Sequence, residues 1–339
     1  MKLKRMAALA CVIMLGAILI LNGCGANTAS SSKSASTKTV TITAKDATGT
    51  DKQIDVPYDP QRIAILDLSA LDIIDNLGYG DRVVGSADTT LDYLKKYTGG
   101  NIVNLGNIKE ADMEAVAKCN PDIIFIGGRL SSSYDALNEI APVVYLSTDA
   151  TKGVVESTHN NARTIGSIFG AEEKVDALFT GFNDRIAKLN AFAKGKTAVL
   201  GMATSGSLNI LGNDGRCSLI VNEVGFDNIG ASSATSRQGS SSSTASGAAS
   251  NPHGAESSFE TLVSLNPEYV FVLDRDSAIG TDGAKLAQDI MNNDLINGMD
   301  ASKNNKIVYL AHPAAWYTAE GGVTALDTMI SDLESSLLK

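Results

Sequence analysis

Cysteine and histidine are scarce. The 339 residues hold four cysteines and three histidines. There is no CxxC pair and no spacing that would gather metal ligands. Cys11 and Cys24 fall in the leader, and Cys119 and Cys217 fall in separate halves of the chain. No disulfide is therefore expected between the latter two, and Cys119 reads as a small buried hydrophobe. Enzyme signatures are missing as well: no GxSxG, no HExxH and no Walker A sequence occurs. Asp67, Asp274 and Asp276 are acidic residues at strand ends, but no nucleophile and base pair up with them. Gly78, Gly80 and Gly85 do not follow a strand in GxGxxG spacing, which removes a dinucleotide fingerprint. Positive charge is also short. The 28 Lys and Arg against 38 Asp and Glu leave a net charge of −10, which argues against nucleic acid as a partner.

The chain opens on a basic stretch, Met1 to Arg5, followed by the apolar run Met6 to Leu21. Sixteen residues are too few for a comfortable membrane span. With Leu21-Asn22-Gly23-Cys24 behind it, the segment reads as an export signal. Residues 1–24 are therefore expected to be a signal peptide that ends at a lipidated Cys24. Residues 25–39 are Ser, Ala and Thr with little apolar bulk, a flexible tether spanning roughly 20 Å.

The rest is organised around a stretch that occurs twice. Glu110 to Arg129 aligns with Glu256 to Arg275 without a gap, at an offset of 146 residues. Glu110/Glu256, Glu114/Glu260, Asn120/Asn266, Pro121/Pro267, Phe125/Phe271 and Arg129/Arg275 are identical. Each copy reads as an amphipathic helix, an Asn-Pro break and a short apolar strand ending in Arg. Strands separated by helices argue for mostly parallel sheets. The expected fold is thus α/β, with two Rossmann-like lobes at 40–150 and 196–339. The segment between them, 151–195, is almost entirely helical by its apolar periodicity, divided at Gly170, and reads as a long rigid α-helical spacer. Val40 to Val56 alternates around a turn and predicts a β-hairpin. Lys285 to Leu295 and Gly321 to Leu338 predict helices, and residues 312–317 a loop. Residues 231–251 are Ser-rich and low in complexity, a mobile loop by composition.

Open α/β sheets place ligands at the carboxyl ends of their strands, where Arg129 and Arg275 both fall. Arg216 follows a turn at a helix start, a position suited to anions. Three arginines facing one cleft would bind a compact polyanion, because guanidinium is always charged and donates in a planar fork. His253, after the Ser-rich loop, and Tyr317, in the last loop, could each offer a metal ligand. His159 reads as structural, and His312 precedes Pro313 at a strand end without an assigned role. Glu114 and Glu260 match in the repeat and are expected as exposed acidic points, at the opposite end of the lobes from the arginines.

These features resemble one family, the substrate-binding lipoproteins of ABC importers for ferric siderophores. The resemblance covers nearly everything from Val40 to Lys339. It rests on the hairpin with Asp46-Ala47-Thr48-Gly49, on Arg62 to Asp67, Pro121 to Arg129 and His253-Gly254. Asn266 to Asp276 and Pro313 to Tyr317 complete it. It is similar above all to the catecholate and petrobactin-type branch. The resemblance implies a ligand cleft between two lobes. It implies that Arg129, Arg216 and Arg275 surround an anionic ferric catecholate, with Trp316 beside it. It implies that His253 and Tyr317 complete the iron coordination of incompletely coordinating siderophores, and that Glu114 and Glu260 dock on an ABC permease dimer. The implied protein is a monomer without catalytic residues or an intrinsic cofactor. It is anchored by lipid to the outer face of the cytoplasmic membrane, in the manner of a Gram-positive surface lipoprotein. A haem or cobalamin binder of the same fold, or a metal-dependent cell-surface enzyme, are the alternatives.

Overall fold

The computed structural model describes residues 38–149, 151–234 and 253–338, which fall within one compact unit. Cys24 and the tether before Lys38 lie outside the described residues, as do most of the Ser-rich loop and the side chain of His253.

The hairpin forms as its alternation predicts. β1 (Thr39–Lys45) pairs antiparallel with β2 (Asp51–Pro57). Its turn is held by Asp46, whose carboxylate accepts from the Thr48 and Thr50 N–H groups at 2.9 and 3.1 Å. The first lobe follows with β3 (Ile63–Ile65), α1 (Leu68–Asn76), β4 (Val83–Ser86) and β5 (Val103–Asn104). A small pair, β6 (Gly106–Asn107) and β7 (Glu110–Ala111), leads into α2 (Met113–Lys118) and β8 (Ile123–Ile126). A tight turn, α3 (Tyr134–Asn138) and β9 (Val143–Tyr145) close the lobe. Its sheet runs β5-β4-β3-β8-β9, parallel throughout.

Residues 151–195 are not one rod. They form α4 (Val154–Phe169), α5 (Glu172–Leu178) and α6 (Phe182–Ala193). The first break is at Gly170, as its left-handed φ of 62° requires. The second, unexpected break is at Gly181, with φ 91°. Only α4, about 24 Å long at 1.5 Å per residue, is a long helix.

The second lobe holds β10 (Thr197–Thr204), β11 (Ser207–Ile210) and β12 (Asp227–Asn228). It continues with α7 (His253–Leu265), β13 (Tyr269–Asp274) and α8 (Arg275–Ala278). Then come α9 (Ala287–Met291), α10 (Asp294–Asn297), α11 (Asp300–Lys303), β14 (Ile307–Tyr309), α12 (Pro313–Thr318) and α13 (Val323–Leu337). The sheet order is β11-β10-β13-β14, with β12 beside β10. Three sequence expectations change here. The helix from Lys285 splits into α9 and α10, because Asn293 caps a new start by accepting from the Ile296 N–H at 3.1 Å. The expected helix after Arg216 is only a five-residue π turn, Leu219–Glu223. The expected loop 312–317 is the helix α12, with Pro313 in its first turn, where a missing N–H costs nothing.

The two repeat copies occupy the same place in the two sheets. β8 lies between β3 and β9, and β13 lies between β10 and β14. Asn120 and Asn266 both adopt left-handed backbone, φ 44° and 42°, ending their helices before Pro121 and Pro267. Phe125 and Phe271 are both buried.

The last helix does not stay with its own lobe. α13 packs against α1 of the first lobe and against α6. Asp72, fully buried on α1, accepts from the Thr324 and Ala325 N–H groups at 3.0 and 2.9 Å, at the start of α13. The Tyr93 hydroxyl also donates to it at 2.8 Å. Burial pushes the Asp72 carboxyl up, against the pull of those donors. On the other face, Arg185 of α6 meets Glu334 at 2.7 Å and also pairs with Asp327. A second tie runs the other way. Glu223 accepts from the Val154 and Val155 N–H groups at 2.9 and 2.8 Å, capping the start of α4. A carboxylate there also suits the positive end of the helix dipole.

Candidate functional site

The three arginines singled out in the sequence meet at one side chain, Tyr317. Arg129 lies in the turn after β8, Arg275 opens α8 directly after β13, and Arg216 precedes the π turn. Their guanidinium carbons lie 5.2, 5.7 and 4.3 Å from the centre of the Tyr317 ring. Distances of that size are in the range of cation–π attraction. Arg129 also donates to the Tyr317 carbonyl at 3.3 Å, and Arg275 to the Tyr317 hydroxyl at 3.1 Å. The site thus joins both lobes at the carboxyl ends of their strands.

The three cations differ in their surroundings. Arg275 donates to Asp276 at 2.9 Å and to Thr204 at 3.2 Å. Asp276 is itself held by Ser205 N–H and Thr204. Burial works against the charge of Arg275, but the Tyr317 hydroxyl and Asp276 outweigh it and raise its pKa. Arg129 has no such carboxylate at hydrogen-bond distance among the described residues. Burial first, and the charge of Arg216 next, lower its pKa, with Tyr317 and the more distant Asp67 pulling the other way. Arg216 faces Glu320 at 3.8 Å, too long for a hydrogen bond.

Tyr317 responds to all three. Burial would raise its phenol, but the Arg275 hydrogen bond and the charges of Arg216, Arg275 and Arg129 win, and its pKa falls below the ordinary tyrosine value. The phenol therefore gives up its proton more readily than an ordinary tyrosine, and phenolate is the form that coordinates a hard metal ion. Beside Arg216 lies a cavity of about 240 Å³ between the Thr148–Val154 side and the Asp214–Ser218 turn, with Glu320 at its wall. Cys217, next to Arg216, has φ 66°, so the turn that presents this arginine is strained.

Trp316 is a correction. It was expected at the ligand, but it is fully buried and donates its indole N–H to Asp332 at 2.9 Å. The helical turn of α12 sends Tyr317 to the cleft and Trp316 into the core. His312 donates or accepts on the same buried Asp332, through Nδ1 at 2.6 Å. His159 pairs with Asp176 at 2.9 Å on the helical connection.

The acidic pair is also corrected in part. Glu114 and Glu260 are exposed on α2 and α7, but not at the edge opposite the arginines. Asp112 N–H, just before α2, donates to Leu105, and Leu105 N–H donates to Ser86 at the carboxyl end of β4. Arg62, just before β3, reaches the carbonyls of Cys119 and Asn120 behind α2. The helix therefore starts at the carboxyl edge and runs antiparallel to its strand, with Glu114 in its first turn. α7 has the same sense, because Glu268 after it is tied to Thr197 at the start of β10. Glu260 lies midway along it. Sequence reasoning also missed Glu320 and Thr204. A single carboxylate three residues after Tyr317 carries no motif, and neither does Thr204.

This geometry, two mainly parallel sheets with a cation-lined site at the carboxyl ends of their strands, is that of a solute-binding protein. The family model for periplasmic binding proteins matches residues 63–314, and the chain belongs to that family. Within it, the chain is 33% identical over 333 residues to the petrobactin-binding protein YclQ of Bacillus subtilis, covering 96% of this chain and 98% of that one. The crystal structure of YclQ matches with a TM-score of 0.73 at 31% identity, over 88% of this chain and 99% of that chain. The periplasmic catecholate-siderophore binding protein VctP of Vibrio cholerae matches with a TM-score of 0.72 at 30% identity, over 88% and 100% of the two chains. The fold expected from the repeat is the fold of these relatives.

Proposed function

We propose that this chain captures a ferric siderophore of catecholate type between its lobes and delivers it to an ABC permease for iron uptake. The observation that carries this reading is the convergence of three arginines from two lobes on one tyrosine. A ferric catecholate is anionic, and its flat rings suit guanidinium and aromatic faces. The ligands named for YclQ and VctP support the same class. Iron enters as cargo with its chelator. Where the chelator leaves positions open, Tyr317 supplies a phenolate and His253 an imidazole.

The chain acts as a binding protein without turnover, anchored through Cys24 and working as a monomer. Glu114 and Glu260 are the permease contacts. Since α2 and α7 both begin at the carboxyl edge, a permease touching them also faces the cleft, which suits direct handover.

Titration of intrinsic fluorescence with a ferric catecholate, ferric citrate, haem and cobalamin tests the ligand class. Quenching that saturates with the catecholate at the lowest concentration is expected. Saturation by haem or cobalamin alone overturns it. Replacing Arg216 by Ala is expected to weaken catecholate binding by about 1.5–3 kcal/mol, the size of a charge-assisted hydrogen bond.

A further inference from the structure

Glu320 has no place in the binding scheme above, yet it is a largely buried acid that faces one of the ligand arginines, Arg216. It lies three residues after Tyr317, on the wall of the cavity beside Arg216. Its side chain is only 11% exposed. One oxygen, Oε2, faces Arg216 at 3.8 Å; the other, Oε1, is buried and has no hydrogen-bond partner among the described residues. Buried carboxylates are ordinarily well bonded, because an unpaired oxygen loses its water for nothing. Here the counter-charge is a single loose contact, and it comes from a residue that the ligand is expected to claim.

The charges around Glu320 can be named. Arg216 and Arg129 favour its ionised form. Glu223, on the π turn, disfavours it. Asp149 and Asp214 line the same cavity and add negative potential. The Ser69 hydroxyl, which donates to Asp67 at 2.9 Å, approaches Glu320 at its backbone carbonyl, at 3.4 Å, and does not serve the side chain.

We propose that Glu320 is a positioning residue for the ligand site. Its carboxylate holds Arg216 against the Tyr317 ring, and when an anionic ligand takes over that arginine, Glu320 takes up a proton from solvent. No bond to the ligand is made or broken in this step. The proton moves from water or buffer to a Glu320 oxygen, and the guanidinium stays charged throughout.

Electrostatics supports the direction. Burial lifts the Glu320 carboxyl, Arg216 lowers it, Glu223 lifts it and Arg129 lowers it, with a net rise to about 7. A ligand anion seated on Arg216 and Arg129 cancels the two influences that lower it. The bound-state pKa then lies above the free-state pKa, so binding takes up a proton between the two values. Affinity is therefore expected to fall as pH rises above about 7, by up to about tenfold per pH unit, and to be flat below it. Releasing the ligand at higher pH is the corollary.

The inference rests on the anion-binding reading of the site, and the experiment separates the two. Full-length protein is titrated calorimetrically with a ferric catecholate at about pH 7.5, in two buffers of different ionisation enthalpy, for wild type and Glu320→Gln. A sizeable fraction of a proton taken up by wild type, and much less by Glu320→Gln, is expected; any proton exchanged by the ligand itself or by Tyr317 is common to both. Glu320→Gln should also lose the decline in affinity above about pH 7. Glu320→Asp should restore part of that decline. Equal proton uptake in the two proteins overturns the proposal while leaving the binding reading intact. A wild type that binds no catecholate overturns the binding reading. In that case carboxyl NMR of the protein alone still decides whether Glu320 titrates near 7, and titration in the ordinary carboxylate range removes the positioning role as well.

Discussion

The two copies of the repeat present the same arginine in two electrostatic states. Arg275 of the second lobe is pre-bonded to Asp276, Thr204 and the Tyr317 hydroxyl, and its charge is stabilised. Arg129 of the first lobe has a backbone carbonyl and, among the described residues, no carboxylate at hydrogen-bond distance, and burial together with Arg216 destabilises its charge. A cation already neutralised gains little from a second anion, while an uncompensated buried cation gains a great deal. The lesson is a division of labour. The second lobe supplies a rigid, pre-aimed arginine, and the first supplies the stronger pull on an incoming anion.

That division is breakable. Arg129→Ala is expected to have the largest effect, weakening ferric catecholate binding by about 3 kcal/mol, the upper end for a hydrogen bond to a charged group; a fluorescence titration reads it. Asp276→Asn should destabilise the second lobe by about 2 kcal/mol, since Asp276 is buried and bonded to Arg275, Thr204 and Ser205. It should also make Arg275 resemble Arg129, so that binding tightens even as the urea midpoint falls. Weaker binding in that variant would contradict the comparison. Arg275→Ala should cost about 1.5 kcal/mol of binding, less than Arg129→Ala; the reverse order would sink the idea of a stronger pull from the first lobe. Tyr317→Phe keeps the ring under three guanidiniums and removes one hydrogen bond. It should cost about 0.5–1 kcal/mol with a fully coordinated chelate, and more with a chelate that leaves iron positions open. The smallest effect is spectroscopic. Tyr317 should ionise below the ordinary tyrosine range, and Arg275→Ala should move that midpoint upward, as ultraviolet difference titration would record.

The parallel sheets were legible in sequence because buried strands and Asn-Pro breaks are local signals. Asn120 and Asn266 mark the helix ends through one residue's tolerance of positive φ. The pairing of Arg129 with Arg275 was legible through the repeat. What escaped depends on contacts far apart in the chain. The second break in the helical connection follows Gly181, a residue that elsewhere in a helix would be tolerated. Trp316 and Tyr317 are neighbours in sequence but face opposite ways, because residues 312–317 wind into a helix over the buried Asp332. Loop and helix cannot be told apart from six residues when tertiary contacts decide. The orientation of Glu114 and Glu260 required the sense of a helix relative to its strand, which periodicity alone does not supply.

The route of α13 has a consequence for how this architecture can be taken apart. By sequence it belongs with the second lobe, but it covers α1 of the first and closes over the buried Asp72. A fragment cut after α6 would expose that apolar face of α1 and leave Asp72 without its two main-chain donors. Such a fragment should be insoluble alone and recover structure when the remainder is supplied as a separate polypeptide. The internal duplication is thus a symmetry of layout, not of self-sufficiency: one half cannot be inherited, expressed or evolved without the tail of the other.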